Sequence, residues 1–177
     1  MVRIGFGVAA LLTVVAAVVM AGPLALPSLA LQDQESRRLE LGDLRGRVVV
    51  IVYGTRARVD DHIAWGRRVD RALIAREAYQ ATEPSAQRPV SILALAQMGG
   101  VPSGFRGLVR SVVRQHVPQD FSLWLDWDDR MSALFGSGGA QSSVVVADRT
   151  GRVQLVTSEA PTDAAVERVA GVVIPLL

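Results

Sequence analysis

The sequence predicts a mixed α/β sandwich, in which helices cover a mixed sheet of about five strands. Two runs, residues 48–53 and 90–96, are apolar at almost every position, which is typical of parallel strands that are buried on both faces. A helical pattern follows each run, and an antiparallel hairpin closes the predicted sheet. The resulting order, β-α-β-α-β-α-β-β-α, is that of a sheet with parallel and antiparallel neighbours.

The N-terminal segment is apolar, with no charged residue from position 4 to position 31. Arg3 precedes the run and Asp33 follows it, an order of charges that directs the C-terminal part across a membrane. Residues 1–30 are therefore interpreted either as a signal peptide, cleaved after Ala30 or Ala21, or as an N-terminal anchor, since about 20 residues span a bilayer core. In both cases we expect an exported, periplasmic domain, soluble or held at the inner membrane.

The mature chain is predicted to consist of a linker at residues 31–40 and a domain over residues 41–177. The run 48–53 is its first core strand. Asp60 and Asp61 are good N-cap residues, so we expect a helix from there to about residue 81, ended by the Glu-Pro-Ser sequence at 83–85. The second core strand then covers residues 90–96.

The second helix is amphipathic. Its apolar residues recur at intervals of three and four and predict the buried side; they are Leu108, Val109, Val112, Val113 and His116. Its basic residues recur every four positions and predict a solvated face; they are Arg106, Arg110 and Arg114. Alternatively, this arginine stripe meets acidic lipid head groups or an acidic partner.

The remaining elements are a third strand at 121–127, a short helix at 131–135, a hairpin and a last helix that opens at Pro161. The hairpin strands, 144–147 and 153–156, are joined by the Asp-Arg-Thr-Gly turn at 148–151. Three acidic residues near the third strand could ligate calcium, but their spacing favours a strand end and a helix cap; they are Asp126, Asp128 and Asp129.

The composition excludes several classes of chemistry. The chain has no cysteine, which removes thiol nucleophiles, disulfides and cysteine-ligated metals. All 19 basic residues are arginine, which removes Schiff-base lysines and the lysine of a phosphate-binding loop. Arginine also explains the high isoelectric point beside a net charge of only +2, so we predict no nucleic-acid partner. We predict no cofactor and no metal.

Three phrases of the sequence, in their order and spacing, carry a resemblance. They are LGDLRGRVVV at 41–50, LDWD at 125–128 with ALFG at 133–136, and VVVADRTGRV at 144–153. Over about residues 39–177 the chain resembles the thioredoxin-like superfamily, especially its exported thiol–disulfide reductases and peroxiredoxin-like redoxins. The resemblance implies a thioredoxin-like three-layer sandwich.

The sequence departs from that family where the family carries out its chemistry. The position of the Cys-x-x-Cys motif falls at residues 58–61, where Arg58 and Asp61 replace the two cysteines. The position of the family's cis-proline falls at about Ser142. The resemblance therefore implies a degenerate site without thiol activity. Its candidate binding residues are Arg56, Arg58, Asp60, Asp61, His62 and Ser142.

Three functions remain open from the sequence. The first is a non-catalytic module that binds an envelope protein or a small ligand at the degenerate site. The second is an enzyme with thiol-independent chemistry, for which Asp60, Asp61 and His62 are the acid–base candidates; the same residues are a weak metal-site alternative to helix capping. The third is a structural partner of a membrane assembly that docks through the arginine stripe, with membrane association through residues 4–31.

Overall fold

The computed structural model describes residues 24–136 and 139–177 and confirms the mixed α/β sandwich. The predicted signal peptide or anchor lies mostly outside these residues, as does its Ala21 cleavage position. The strands are β1 (Ala30–Asp33), β2 (Arg38–Glu40), β3 (Val48–Thr55), β4 (Val90–Gln97), β5 (Leu123–Asp126), β6 (Ser143–Ala147) and β7 (Val153–Ser158). The helices are α1 (Val59–Ala75), α2 (Arg106–His116), α3 (Arg130–Phe135) and α4 (Asp163–Val173).

One mixed sheet runs in the order β2-β1-β5-β4-β3-β6-β7. The three strands β3, β4 and β5 are parallel to one another, and the other neighbours are antiparallel. Because parallel strands end at the same edge, β3, β4 and β5 present their carboxyl ends together. We call this edge the C-terminal edge of the sheet, and the opposite one the N-terminal edge.

Strand β3 is the centre of the core, as its unbroken apolar sequence predicts. Residues Val48 to Gly54 are buried. Side chains at alternate positions pack on α1 and α4 on one face, and on the N-terminal segment and α3 on the other. Because side chains alternate between the two faces, a strand that is apolar at every position needs packing partners on both faces of the sheet. Within the described part of the chain, no helix is long and apolar enough to cross a membrane.

The segment 31–40, which the sequence predicts as a linker, belongs instead to the sheet. Strands β1 and β2 form a hairpin, and β1 also pairs with β5. Leu31 is 1% exposed, and the Asp33 side chain accepts hydrogen bonds from the backbone of the hairpin turn. The linker prediction was wrong because the hairpin has few residues and is mostly polar, so it gives almost no periodic signal. The sheet gains two strands beyond the five predicted.

Helix α1 ends at Ala75, earlier than the predicted residue 81. Glu77 adopts a positive φ of 58°, and the Ala78 amide donates to the Leu73 carbonyl at 3.0 Å. The chain turns back there because Tyr79 is buried in the core and its hydroxyl donates to Asp70 at 2.6 Å. The helix thus ends early because the chain turns to bury Tyr79, whose hydroxyl finds a hydrogen-bond partner in Asp70.

Helix α2 is rotated relative to the sequence prediction. Val109 and Val113, which were predicted to be buried, are partly buried against the core, whereas Leu108 is 64% and Val112 is 47% exposed. The side that faces the protein also carries arginines predicted to be solvated. Arg110 donates to Gln32 at 3.2 Å and to Ser36 at 3.1 Å, and Arg114 donates to the Gln34 carbonyl at 3.0 Å.

The physical reason for this rotation is the hairpin beside α2. Its backbone and side-chain oxygens offer acceptors that the guanidinium groups satisfy. Arg106 is also held within the fold, over the Trp127 ring at 5.2 Å and near Asp128 at 3.4 Å. The arginine stripe therefore bonds the protein itself, while 37% of the Arg106 side chain and 52% of the Arg114 side chain stay accessible.

Candidate functional site

The degenerate motif lies at the C-terminal edge, where β3 passes through a short 3-10 turn into α1. Arg58 occupies the N-cap position of α1 and Asp61 its first turn. The two side chains form an exposed ion pair at 3.0 Å, with 47% and 39% of the side chains accessible. The acids of the first turn favour the positive end of the helix dipole. This is the helix start at which the family resemblance positions its redox motif.

His62 is the member of the predicted site that the fold buries completely. It belongs to the first turn of α1 and folds back over the end of β3, where it is 0% exposed. A Cβ atom at Gly54 would lie 2.8 Å from the His62 Nε2 atom, closer than side chains normally approach. Gly54 is therefore the residue that leaves space for the imidazole.

Ser142 lies alongside Gly54, the glycine over which His62 folds. The register of β3 and β6 pairs Tyr53 with Ser143, which brings the preceding residues 141 and 142 alongside Gly54. The Gln141 carbonyl oxygen and the His62 Nε2 atom both lie within 4 Å of the same point above Gly54. Ser142 is 2% exposed. Two predicted site residues that are far apart in sequence are thus brought together.

The polar atoms of these two side chains lack hydrogen-bond partners within the described residues. Neither ring nitrogen of His62 is bonded there, and neither is the Ser142 Oγ. The neighbouring Ser143 differs, because its hydroxyl shares a hydrogen bond with Ser158 at 2.8 Å. A buried polar group without a partner costs about 1–3 kcal/mol of folding free energy. We refer to the side chains of His62 and Ser142 as the orphan pair.

Burial determines the charge of the imidazole. It lowers the pKa of His62 to about 4, and the negative charge of Asp61 opposes this shift only in part. His62 is consequently neutral at pH 7, with one nitrogen able to donate and the other able to accept. With the Ser142 hydroxyl beside it, the edge offers both kinds of hydrogen-bonding group in a buried position.

The remaining predicted residues do not join the orphan pair. Arg56, Arg58 and Asp60 are exposed, and Asp61 is paired with Arg58. The proposed acid–base trio therefore faces different surroundings: Asp60 is in water and His62 is in the core. In the described part of the chain, no group of three potential ligands among His, Cys, Asp and Glu is arranged to hold a metal ion.

The acidic residues after β5 each have a structural role. Asp126 accepts from the Met131 amide at the start of α3 at 2.9 Å, and Asp128 pairs with Arg106. Asp129 accepts from the Gly99 amide at 2.8 Å and approaches so closely that any side chain at Gly99 would overlap its carboxylate. The three carboxylates bind different parts of the protein and do not converge, in agreement with the capping interpretation.

Two polar groups at the C-terminal edge were missed by sequence reasoning. Gln97 ends β4, and its Nε2 is buried without a partner; the same holds for the Nε of Arg106, at the start of α2. These statements apply to residues 24–136 and 139–177. Only their position in the sequence could have identified these two residues. Polar residues that follow buried parallel strands come together at one edge of the sheet.

Similarity to known proteins is found in the fold and not in the sequence. The sequence matches no protein-family model and no curated protein. Solved structures do match the fold. A putative thiol:disulfide interchange protein DsbE from Chlorobium tepidum aligns with a TM-score of 0.57 and 16% identity, over 87% of this chain and 96% of that one.

The exposed lipoprotein thioredoxin Etrx1 from Streptococcus pneumoniae aligns with a TM-score of 0.55 and 12% identity, over 81% of this chain and 97% of that one. This chain has a thioredoxin-like fold. A secreted thiol–disulfide isomerase from Corynebacterium glutamicum also aligns, with a TM-score of 0.53 and 14% identity over 85% and 84% of the two chains. The names of these three proteins are those of thioredoxins and thiol–disulfide proteins, whereas the thioredoxin-like chain described here contains no cysteine.

Proposed function

We propose that this protein is an exported thioredoxin-like domain without thiol redox activity, and that it binds an envelope protein or a small ligand at the C-terminal edge. The orphan pair is the observation that carries the proposal. Its polar atoms are buried near Gly54, next to residues 58–61 where the resemblance puts a redox motif, and they lack partners in the described protein. A ligand that donates and accepts hydrogen bonds would satisfy them once the chain that covers the two side chains moves aside.

The chemistry of the edge favours binding over catalysis. A thiol–disulfide exchange requires a thiolate, and the chain has none. A general acid–base mechanism requires groups within reach of one substrate, whereas Asp60 is exposed and His62 is buried. What remains is a neutral imidazole, a hydroxyl and a glycine that leaves space for the imidazole, which are features of recognition.

Export is supported by the N-terminal charge pattern and by the neighbours in structure. Arg3 precedes the apolar run, and Asp33 and Glu35 follow it. Two of the similar structures are those of an exposed lipoprotein and a secreted isomerase. On this basis we assign the domain to the periplasm, whether the N-terminal segment is cleaved or stays as an anchor.

The test uses two neighbouring serines as a matched pair. The purified protein is used to capture partners from the native envelope fraction, alongside Ser142→Ala and Ser143→Ala. We expect Ser142→Ala to fold normally and to lose the captured partner, because its hydroxyl bonds nothing among the described residues. We expect Ser143→Ala to keep the partner and to melt at a lower temperature, because it loses the bond to Ser158.

Equal capture by the wild type and Ser142→Ala would contradict the assignment of the edge. Reduction of insulin disulfides by the purified wild-type protein would contradict the absence of thiol activity. If the protein is an enzyme of the thiol-independent kind, Asp61→Ala abolishes turnover of its substrate. A binding module with that substitution stays folded and retains most of its affinity.

A further inference from the structure

A cavity lies at the N-terminal edge, well away from the orphan pair. Strand β5 begins only at Leu123, opposite Ala94, so no described strand flanks the earlier part of β4 on that side. A cavity of about 440 Å³ fills this gap. Its apolar wall is formed by Leu39, Leu44, Ile92, Leu93, Phe121 and Trp124.

Arg47 lines the cavity and carries a charge that no acid among the described residues balances. Its guanidinium donates to the carbonyls of Arg88 at 2.9 Å, of Val90 at 3.1 Å and of Ser85. In the structure as described, its Nη1 has no partner and no carboxylate pairs with it. Burial lowers the pKa of Arg47, which reflects the cost of removing a cation from water.

The other two arginines of the cavity are neutralised. Arg88 pairs with Asp70 at 2.9 Å and lies over the Tyr79 ring, and Arg67 pairs with Asp120 at 3.2 Å. Within residues 24–136 and 139–177, Arg47 is thus the single cation of the cavity lining without a carboxylate partner. The positive charge of Arg47 can therefore neutralise one negative charge in the cavity. A second anion would have no cation of the described lining to pair with.

Ser91 supplies an independent indication of a ligand. It lines the same cavity and is only 7% exposed, yet its hydroxyl bonds no other group among the described residues. Native proteins satisfy nearly all buried polar atoms with protein, water or ligand. An unbonded guanidinium nitrogen, an unbonded hydroxyl and an apolar wall therefore line one space.

We propose that this cavity binds a small monoanion with an apolar body, of the carboxylate class, whose charge lies at Arg47 and Ser91 and whose body lies on the wall of Leu44, Leu93 and Trp124, which pack on one face of the sheet. Ser91 and Gln97 stand at opposite ends of β4, on the order of 20 Å apart at 3.3 Å per residue. The site is therefore separate from the C-terminal edge and does not depend on the function proposed there.

The experiment titrates the purified protein with decanoate, and follows binding by calorimetry and by the change in tryptophan fluorescence, to which Trp124 in the cavity contributes. 1-Decanol, which has the same chain without the charge, is titrated in parallel. Arg47→Gln removes the cation, and Ser91→Ala removes the hydroxyl. Arg45→Gln is the matched control, because Arg45 is exposed, lies two residues away and does not line this cavity.

We expect decanoate to bind at one site and decanol to bind at least about tenfold more weakly. Arg47→Gln should weaken decanoate binding about tenfold or more, as loss of a charged hydrogen bond does, and Ser91→Ala about fivefold. Arg45→Gln should bind like the wild type. No saturable binding, or equal binding of decanoate and decanol, would overturn the proposal, as would full affinity in Arg47→Gln.

Ser91→Ala keeps the test decisive if Arg47→Gln does not fold, since Arg47 also holds three backbone carbonyls in place. The Ser91 hydroxyl bonds nothing in the described protein, so its removal leaves the fold intact. Unchanged decanoate affinity in the folded Ser91→Ala protein would then overturn the site.

Discussion

Burial of His62 sets the charge of its imidazole and so makes the stability of the protein depend on pH. In water an imidazole has a pKa near 6.5, and here burial lowers the pKa to about 4. The folded state keeps His62 neutral while the unfolded chain takes up a proton as the pH falls. Stability is therefore complete above about pH 6.5 and is lost as the pH falls toward 4.

His62→Leu should remove this pH dependence. We expect the difference in unfolding free energy between His62→Leu and the wild type to grow by about 3 kcal/mol from pH 7 to pH 4. Urea denaturation at a series of pH values measures it, and subtraction cancels the carboxylates that titrate in both proteins. His116→Leu, at an exposed histidine, is the control. A constant difference across this pH range would show that His62 is not buried as described.

Gly54 is required by the position of His62. Its missing Cβ leaves the space in which the Nε2 atom lies, at 2.8 Å from where a Cβ would be. We expect Gly54→Ala to destabilise the protein by about 1–3 kcal/mol, as overpacking of a core does. In the double variant Gly54→Ala/His62→Ala the clash is absent, so the two losses should not add. Simple additivity in urea denaturation would argue against contact between these residues.

At the scale of elements, the stretch before β1 is part of the fold. The Leu26 amide donates to the Gly151 carbonyl at 2.8 Å, and the Val153 amide donates to the Leu24 carbonyl at 2.7 Å. Leu29 is 5% exposed within the core. Cleavage after Ala30 would remove all of these contacts, whereas cleavage after Ala21 would leave them in place.

A protein that begins at residue 31 should therefore be less stable than one that begins at residue 22. Burial of one leucine contributes about 1.5–3 kcal/mol, and the lost hydrogen bonds add to that, so we expect a deficit of about 3 kcal/mol or more. Thermal melting compares the two proteins directly. Intact mass of the protein isolated from its native cells gives the processing, and a mature form that begins at residue 31 with full stability would contradict this role of residues 24–29.

Helix α2 allows the membrane-docking hypothesis to be tested against a structural role of the arginine stripe. Arg110 bonds Gln32 and Ser36 within the protein, so we expect Arg110→Glu to lower the unfolding free energy by about 1 kcal/mol. Arg71→Glu, on an exposed arginine of α1, should be nearly neutral. Unchanged stability in Arg110→Glu, with release of the protein from membranes, would restore the docking hypothesis.

For the whole molecule, the sequence predicted the apolar core strands but not the polar β1–β2 hairpin or the orientation of α2. Val48 to Tyr53 and the run at 90–96 were predicted correctly, because a strand that is apolar on both faces has to be covered on both sides. The polar hairpin of β1 and β2 gave no such signal, and without it the acceptors that bind Arg110 and Arg114 could not be anticipated. The predicted buried side of α2 was for that reason right at Val109 and Val113 and wrong at Leu108 and Val112.

The candidate site was predictable in location and not in detail. The resemblance put residues 58–61 at the helix start, where the structure has them. Neither the burial of His62 nor its closeness to Ser142 could be predicted from the sequence, since both depend on the register of β3 with β6 and on the space left by Gly54. A local pattern carries no information on such long-range pairings.

The most direct test of the central claim uses the fact that the chain has only two histidines. With ¹⁵N-labelled histidine, the ring signals of His62 and His116 are recorded by NMR before and after addition of the partner captured from the envelope. The account predicts that the His62 signals shift as its nitrogens gain hydrogen bonds, while those of His116 stay in place. Binding of the partner with the His62 signals unmoved would contradict it.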